Sequence, residues 1–252
     1  MTVAGGAHAQ NAPACQLETI GTATVRTVID GRTLILTDGR EVRLAAIETP
    51  EAEPGHAGGA EAAKAELEAF AGGKDIILKR HGPATTDRHR RLLAYAFAAE
   101  DRPSAQHALV SAGLARAGSR IGSAGCAAEL FAAERTARAA GIGLWGDPHY
   151  VMRRAEDPAG VLAQRGRFAV VEGKVVSVRE AGATIYVNFG RRWSEDFTVT
   201  VQKRSERAFT AAGLELRKLG GRHVRVRGTI EERGGPWIEA TRPEQIEIAD
   251  GH

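Results

Sequence analysis

Two Asp-Gly pairs, Asp30-Gly31 and Asp38-Gly39, cut residues 22–47 into three short runs rich in β-branched side chains. Asp-Gly adopts the positive φ angles that a tight hairpin requires, so the runs Thr22–Ile29, Thr33–Thr37 and Glu41–Ile47 read as a three-stranded antiparallel meander. A meander buries one face only if further elements cover it, and the following residues supply them. The spacing predicts a helix over Gly58–Phe70, with Ala62, Ala65, Leu67 and Phe70 available for its apolar side and Gly72-Gly73 as its stop. Lys74–Lys79 and Leu92–Ala98 read as two more strands joined by the basic loop His81–Arg91. Ser104–Ala112 and Ala127–Ala140 read as helices, and Leu144 and Trp145 beyond them as core plugs. The expected fold class is therefore α+β and mainly β: a five-stranded OB-type barrel with three helices over residues 20–147.

Between Asp147 and Gly166 the periodicity is lost and Pro148 and Pro158 appear, which predicts a linker over 148–165. A second β-rich stretch follows. Arg167–Arg179, Thr184–Phe189, Phe197–Val201, Val224–Glu231, Trp237–Ala240 and Gln245–Ile248 read as strands and Ser205–Lys218 as a helix. Gly166 and Gly182 read as loop or bulge positions. Strands, one helix and strands again fit a second small OB-like barrel over 166–250.

Composition narrows the function classes. The 252 residues are 43% apolar and 26% charged, a globular balance, and the longest apolar runs fall far short of the roughly 20 residues needed to cross a bilayer. Residues 1–160 carry 18 basic and 19 acidic side chains, whereas residues 161–252 carry 16 and 12, so the second half holds all of the excess positive charge. Of the 34 basic residues 28 are Arg, whose planar fork grips phosphate at two points; biased codon usage explains the excess equally well. Ala7-His8-Ala9 has the small-x-small form of a signal-peptidase site, so residues 1–19 read as the remnant of an export signal, or as a plain Ala/Gly tail. Two cysteines, Cys15 and Cys126, exclude a disulfide-built miniprotein; in an exported, periplasmic or secreted protein they are expected to pair. The eight histidines show no helical ligand spacing.

One group of residues carries chemistry. Arg43, then Glu48-Thr49-Pro50-Glu51, then Arg90-Arg91 place guanidinium and carboxylate groups on strand ends and loops of the first barrel. Phosphodiester hydrolysis needs a carboxylate to take a proton from water and cations to neutralise the phosphate oxygens. A carboxylate beside a backbone carbonyl also suits a hard cation such as calcium. Solvated charges at strand ends produce the same pattern. A weaker set, Arg165, Arg167, Lys174, Arg179, Arg191 and Arg192 interleaved with Phe189 and Trp193, reads either as a phosphate track with stacking aromatics or as a charged surface over buried rings.

Val28-Ile-Asp-Gly-Arg-Thr33, Val42-Arg-Leu-Ala-Ala-Ile-Glu-Thr-Pro-Glu51, Asp87-Arg-His-Arg-Arg-Leu-Leu-Ala-Tyr95, Ala108-Leu-Val-Ser-Ala-Gly-Leu-Ala115 and Gly143-Leu-Trp145 together resemble the staphylococcal nuclease (thermonuclease-like) family over about residues 20–147. The resemblance implies an OB-type barrel that cleaves DNA and RNA by calcium-dependent phosphodiester hydrolysis. It implies phosphate-clamping roles for Arg43 and Arg91, general-base catalysis by Glu51, and calcium ligation by the Glu48 carboxylate and the Thr49 carbonyl.

The chain departs from that family at informative positions. Asp30-Gly31-Arg32-Thr33 stands where the family has Asp-Gly-Asp-Thr, so Arg32 replaces a calcium-binding Asp. Glu48 replaces a shorter Asp, His89 and Ser119 replace aromatics, and the loop after Glu51 is shortened. Two readings follow: a nuclease in which Arg32 serves as a third phosphate-binding cation or points to solvent, with calcium held more weakly or not at all and Arg88, Arg191 and Arg192 as weaker phosphate contacts, or a catalytically degenerate nucleic-acid-binding or envelope scaffold protein.

Overall fold

A computed structural model describes residues 14–83, 86–192 and 194–249. The expected strands Thr22–Ile29 and Thr33–Thr37 appear as β1 (Glu18–Asp30) and β2 (Thr33–Leu36), but the third run divides into β3 (Glu41–Leu44) and β4 (Ile47–Glu48). The break lies at Ala46, whose φ of 67° turns the chain sharply. Then follow α1 (Gly58–Ala71), β5 (Asp75–Arg80), β6 (Leu92–Phe97), α2 (Ala105–Ser111), β7 (Arg116–Ala117) and α3 (Ala124–Ala139). Ser104 and Ser123 cap α2 and α3 by accepting the amides of His107 and Cys126.

Strands β1, β2, β3, β6 and β5 form a closed barrel in that order. The length of β1 makes closure possible: Glu18–Thr24 pairs with β5, and Val25–Asp30 pairs with β2. Val25, Val28, Leu34, Leu36, Val42, Leu44, Ile76 and Leu78 fill its interior. Helix α1 covers it with Ala63, Leu67 and Ala71, an i, i+4, i+8 row, whereas Ala62 and Ala65 are exposed. Cys15 and Cys126 are joined in a disulfide that ties the chain ahead of β1 to the first turn of α3.

The stretch expected as a linker is folded. It carries β8 (Arg153–Arg154) and α4 (Pro158–Leu162), and Ala155 and Val161 are buried among the residues that follow. Those continue as β9 (Phe168–Lys174), β10 (Ser177–Ala181), β11 (Thr184–Asn188), β12 (Thr198–Gln202), α5 (Lys203–Ala211), β13 (His223–Thr229), β14 (Glu231–Arg233), β15 (Gly235–Glu239) and β16 (Ile246–Ile248). The expected helix Ser205–Lys218 ends early because Gly213 takes a φ of 80°. Two expected strands, Arg167–Arg179 and Val224–Glu231, each divide in two. Among the described residues these strands do not close into one barrel. They form a five-stranded sheet, β10-β11-β12-β15-β14, and a four-stranded sheet, β16-β13-β9-β8. Both contribute to one core, in which Val171, Val187, Val199 and Val226 are buried with Phe197 and Phe209.

The two halves are joined by buried polar contacts as well as apolar ones. Arg227 of β13 is fully buried and makes a two-pronged ion pair with Glu134 of α3, at 3.0 and 3.1 Å. It also donates to the Ala117 carbonyl at 3.0 Å and lies over the Phe131 ring. Arg116 donates to the backbone carbonyls of Tyr150 and Phe168. Trp145 packs with Ala137 and Val170 at the same seam.

Candidate active site at the barrel end

The turn Asp30–Thr33 is built around one carboxylate. Asp30 accepts the Arg32 amide at 2.8 Å and the Thr33 hydroxyl at 3.0 Å, an Asx-type arrangement that locks the turn between β1 and β2. Gly31 is required there. A Cβ on it would lie 2.6 Å from the Ala63 Cβ of α1 and 3.3 Å from the Thr49 Cβ, so the turn is pressed against both. The Ala46 break serves the same region: β4 swings out of the barrel to pair with β7, which presents Glu48, Thr49 and Glu51 at the barrel end.

Arg43, half-buried on β3, donates to the Thr33 hydroxyl at 3.1 Å and so continues the Asp30 network. Burial holds its pKa below the ordinary value, and the positive charges of Arg32 and Arg91 lower it further, against Asp30 and Glu48, which raise it. Arg32 and Arg91 are therefore each close enough to Arg43 to repel it. Such a cluster is stable alone only at a cost and is a ready site for a phosphate.

Arg91 is oriented by Asp87, which takes its Nε at 2.8 Å and a terminal nitrogen at 2.7 Å. Desolvation raises the Asp87 pKa, but hydrogen bonds from Arg91 and His89 outweigh it and hold the carboxyl below its usual value. Glu51 is exposed and has no hydrogen-bond or ion-pair partner among the described residues.

Arg32 decides the metal question. Its side chain is only 12% exposed, and it points into the site: one terminal nitrogen forms an ion pair with Glu48 and donates to the Ile47 carbonyl at 3.1 Å. The Glu48 carboxylate expected to hold calcium is thus engaged by a guanidinium. The carbonyl reached is that of Ile47, one strand position before Glu48. Calcium takes six to eight oxygen ligands, and a fixed positive charge already contacting that carboxylate opposes it. The residues present do not fit the cation. Among the described residues no group of three or more His, Cys, Asp or Glu is placed to hold a metal ion.

Arg32, Glu48, Thr49 and Glu51 line one cleft of about 250 Å3. Its opposite wall comes from the second half of the chain, through Gln164, Arg167 and Phe168, and from His149 and Tyr150. Glu53, two residues after Glu51, accepts Arg167 at 2.6 Å and lies 3.5 Å from His149. His149 stacks on His56 at 4.0 Å, and the Tyr150 hydroxyl donates to the His56 carbonyl at 3.1 Å. Burial lowers the His149 pKa and His56 lowers it further, against Glu53.

The structure brings Arg43 within the electrostatic reach of Arg32, Arg91, Asp30 and Glu48, and lines the cleft with Arg32, Glu48, Thr49 and Glu51, whereas Arg43 and Arg91 lie outside its lining. It does not bring the weaker candidates there. Arg88 is exposed and donates to His89, Arg192 pairs with Glu195 on another surface, and neither they nor Arg191 line the cleft. Phe189 does not stack on solvent-borne ligands: it is buried and packs on Phe197 at 4.9 Å. Trp193 and the Ala7-His8-Ala9 site lie outside the described residues. Asp87, Glu53 and His149 were missed by sequence reasoning. Asp87 sits inside the quoted motif, four residues before Arg91, and was legible as its partner; Glu53 and His149 meet Arg167 only through the fold.

Residues 41–147, which run from β3 of the barrel through α3, match the family model described as Staphylococcal nuclease homologue, an OB-like nuclease family whose members act on nucleic acids and are typically calcium-dependent. No curated protein matches the chain. No helix among the described residues is long and apolar enough to cross a membrane.

Proposed function

We propose that the protein is a phosphodiester hydrolase acting on DNA or RNA at the barrel end. Glu51 takes the proton from a water whose oxygen bonds to phosphorus; the opposite P–O bond breaks, and the leaving oxygen is protonated from solvent. Arg43 and Arg91 bind the non-bridging oxygens and neutralise the charge that grows on them. The observation that carries the reading is that Arg32, which lines one cleft with an unpartnered Glu51, stands with Arg91 close enough to act on the charge of Arg43, since barrel stability gains nothing from guanidinium groups that repel. The disulfide supports a periplasmic or secreted location, because such bonds persist in oxidising compartments.

A second reading, a catalytically degenerate nucleic-acid-binding or envelope scaffold protein, is favoured by the Arg32–Glu48 pair standing where the family's cation belongs. Incubation with single-stranded DNA and RNA separates the two. Wild-type protein is expected to cleave, and Glu51→Gln to lose about 100-fold or more in rate, the usual contribution of a general base. Gel shifts with no cleavage by the wild type, or equal cleavage by both, overturn the hydrolase.

A further inference from the structure

We infer that the Arg32 guanidinium is the built-in cation of this barrel end. It takes the place of a divalent ion, so the site binds no calcium and acts without it. The inference rests on the hydrolase reading for its catalytic half and on geometry alone for its binding half.

Three observations converge. Arg32 contacts the Glu48 carboxylate and the Ile47 carbonyl with the same nitrogen, which is what a cation bound between those oxygens would do. Its backbone is fixed by Asp30 and its turn is pressed against Ala63 and Thr49, so the side chain enters from a rigid base rather than from a loose loop. Its charge acts on Arg43, so it belongs electrostatically to the proposed phosphate site and is not a remote surface pair.

A guanidinium differs from a divalent ion in ways that matter here. It carries one charge rather than two, cannot be chelated away, and presents several N–H donors in a plane. While one nitrogen holds Glu48, the group stays at the cleft wall, where Arg32 and Glu51 are both lining residues. A phosphate oxygen placed there receives a charge-assisted hydrogen bond instead of a metal–oxygen bond. Glu48 changes role accordingly, from ligand of an ion to anchor of the arginine.

The test compares wild type with Arg32→Asp and Arg32→Lys, each confirmed folded by circular dichroism, using calcium itself as the probe. Calcium is expected to leave the melting temperature of the wild type and of Arg32→Lys unchanged, and to raise that of Arg32→Asp, in which a carboxylate replaces the guanidinium that Glu48 now contacts. Terbium luminescence should likewise appear only with Arg32→Asp. Equal calcium responses in wild type and Arg32→Asp, whether present or absent in both, overturn the inference. In the activity arm a chelator is expected to change wild-type cleavage by less than two-fold, and its abolition by chelator overturns the inference as well. If the wild type cleaves nothing, the hydrolase reading fails, and the calcium arm still decides whether Arg32 holds the cation's place.

Discussion

At the scale of the residue, the barrel end depends on side chains held by one or two specific contacts. Asp30 supports both Arg32 and Thr33, and Thr33 in turn receives Arg43. His149 shows how such placement becomes pH dependence. Burial and the neighbouring His56 lower its pKa in the folded protein, whereas the unfolded chain titrates near the ordinary 6.5. Below that pH the unfolded state binds a proton that the folded state refuses, so stability falls as pH drops from 7 through the folded-state pKa. The melting temperature is expected to decline over that acid range, and His149→Gln to flatten the decline. A slope unchanged in the variant assigns it to other groups.

At the scale of the element, the short loop between β4 and α1 carries Glu51 but is not held by the barrel alone. Glu53 ties it to Arg167, just ahead of β9, and to His149, beyond α3. This pair is partly solvent-exposed, so it contributes about 0.2 to 1 kcal/mol. Arg167→Ala is therefore expected to speed amide hydrogen exchange across residues 50–57 by roughly two- to five-fold while α1 and β5 keep their protection. Exchange unchanged in that loop would show that Glu53 restrains nothing. The sequence motif around Glu51 was legible because it is local. The tether was not, because 114 positions separate Glu53 from Arg167 and neither has a periodic signature. Likewise, alternation ran on across Ala46 and Ile230, where the chain turns into another pairing, so one expected strand became two in each case.

At the scale of the whole molecule, the halves are joined by charges removed from water. Arg227 and Glu134 are 0% and 1% exposed, and each is hydrogen-bonded on several sides. Removing one partner of such a pair leaves a buried charge uncompensated. Arg227→Met is expected to cost about 3 to 5 kcal/mol, and Arg227→Met with Glu134→Gln less than the single change. Denaturant unfolding of both variants checks this, and a loss below about 1 kcal/mol for the single change would mean that water reaches Glu134. The disulfide acts at the same scale, since it closes a loop whose ends are 111 positions apart.

The sequence by itself determined the run of short strands at the start, the three helices of the first half, the α+β class, a cysteine pair that forms if the protein is exported, and the family that residues 41–147 match. All of these rest on local spacing, turn chemistry or motif order. Only the tertiary structure decided three things: that the supposed linker is folded, that the described residues of the second half form two sheets rather than a closed barrel, and that Arg32 turns inward onto Glu48. An arginine has the same letter whether it faces solvent or a carboxylate. Its direction is set by the Asp30 turn, the pressure of Ala63 behind Gly31, and a carboxylate brought within reach by the break at Ala46.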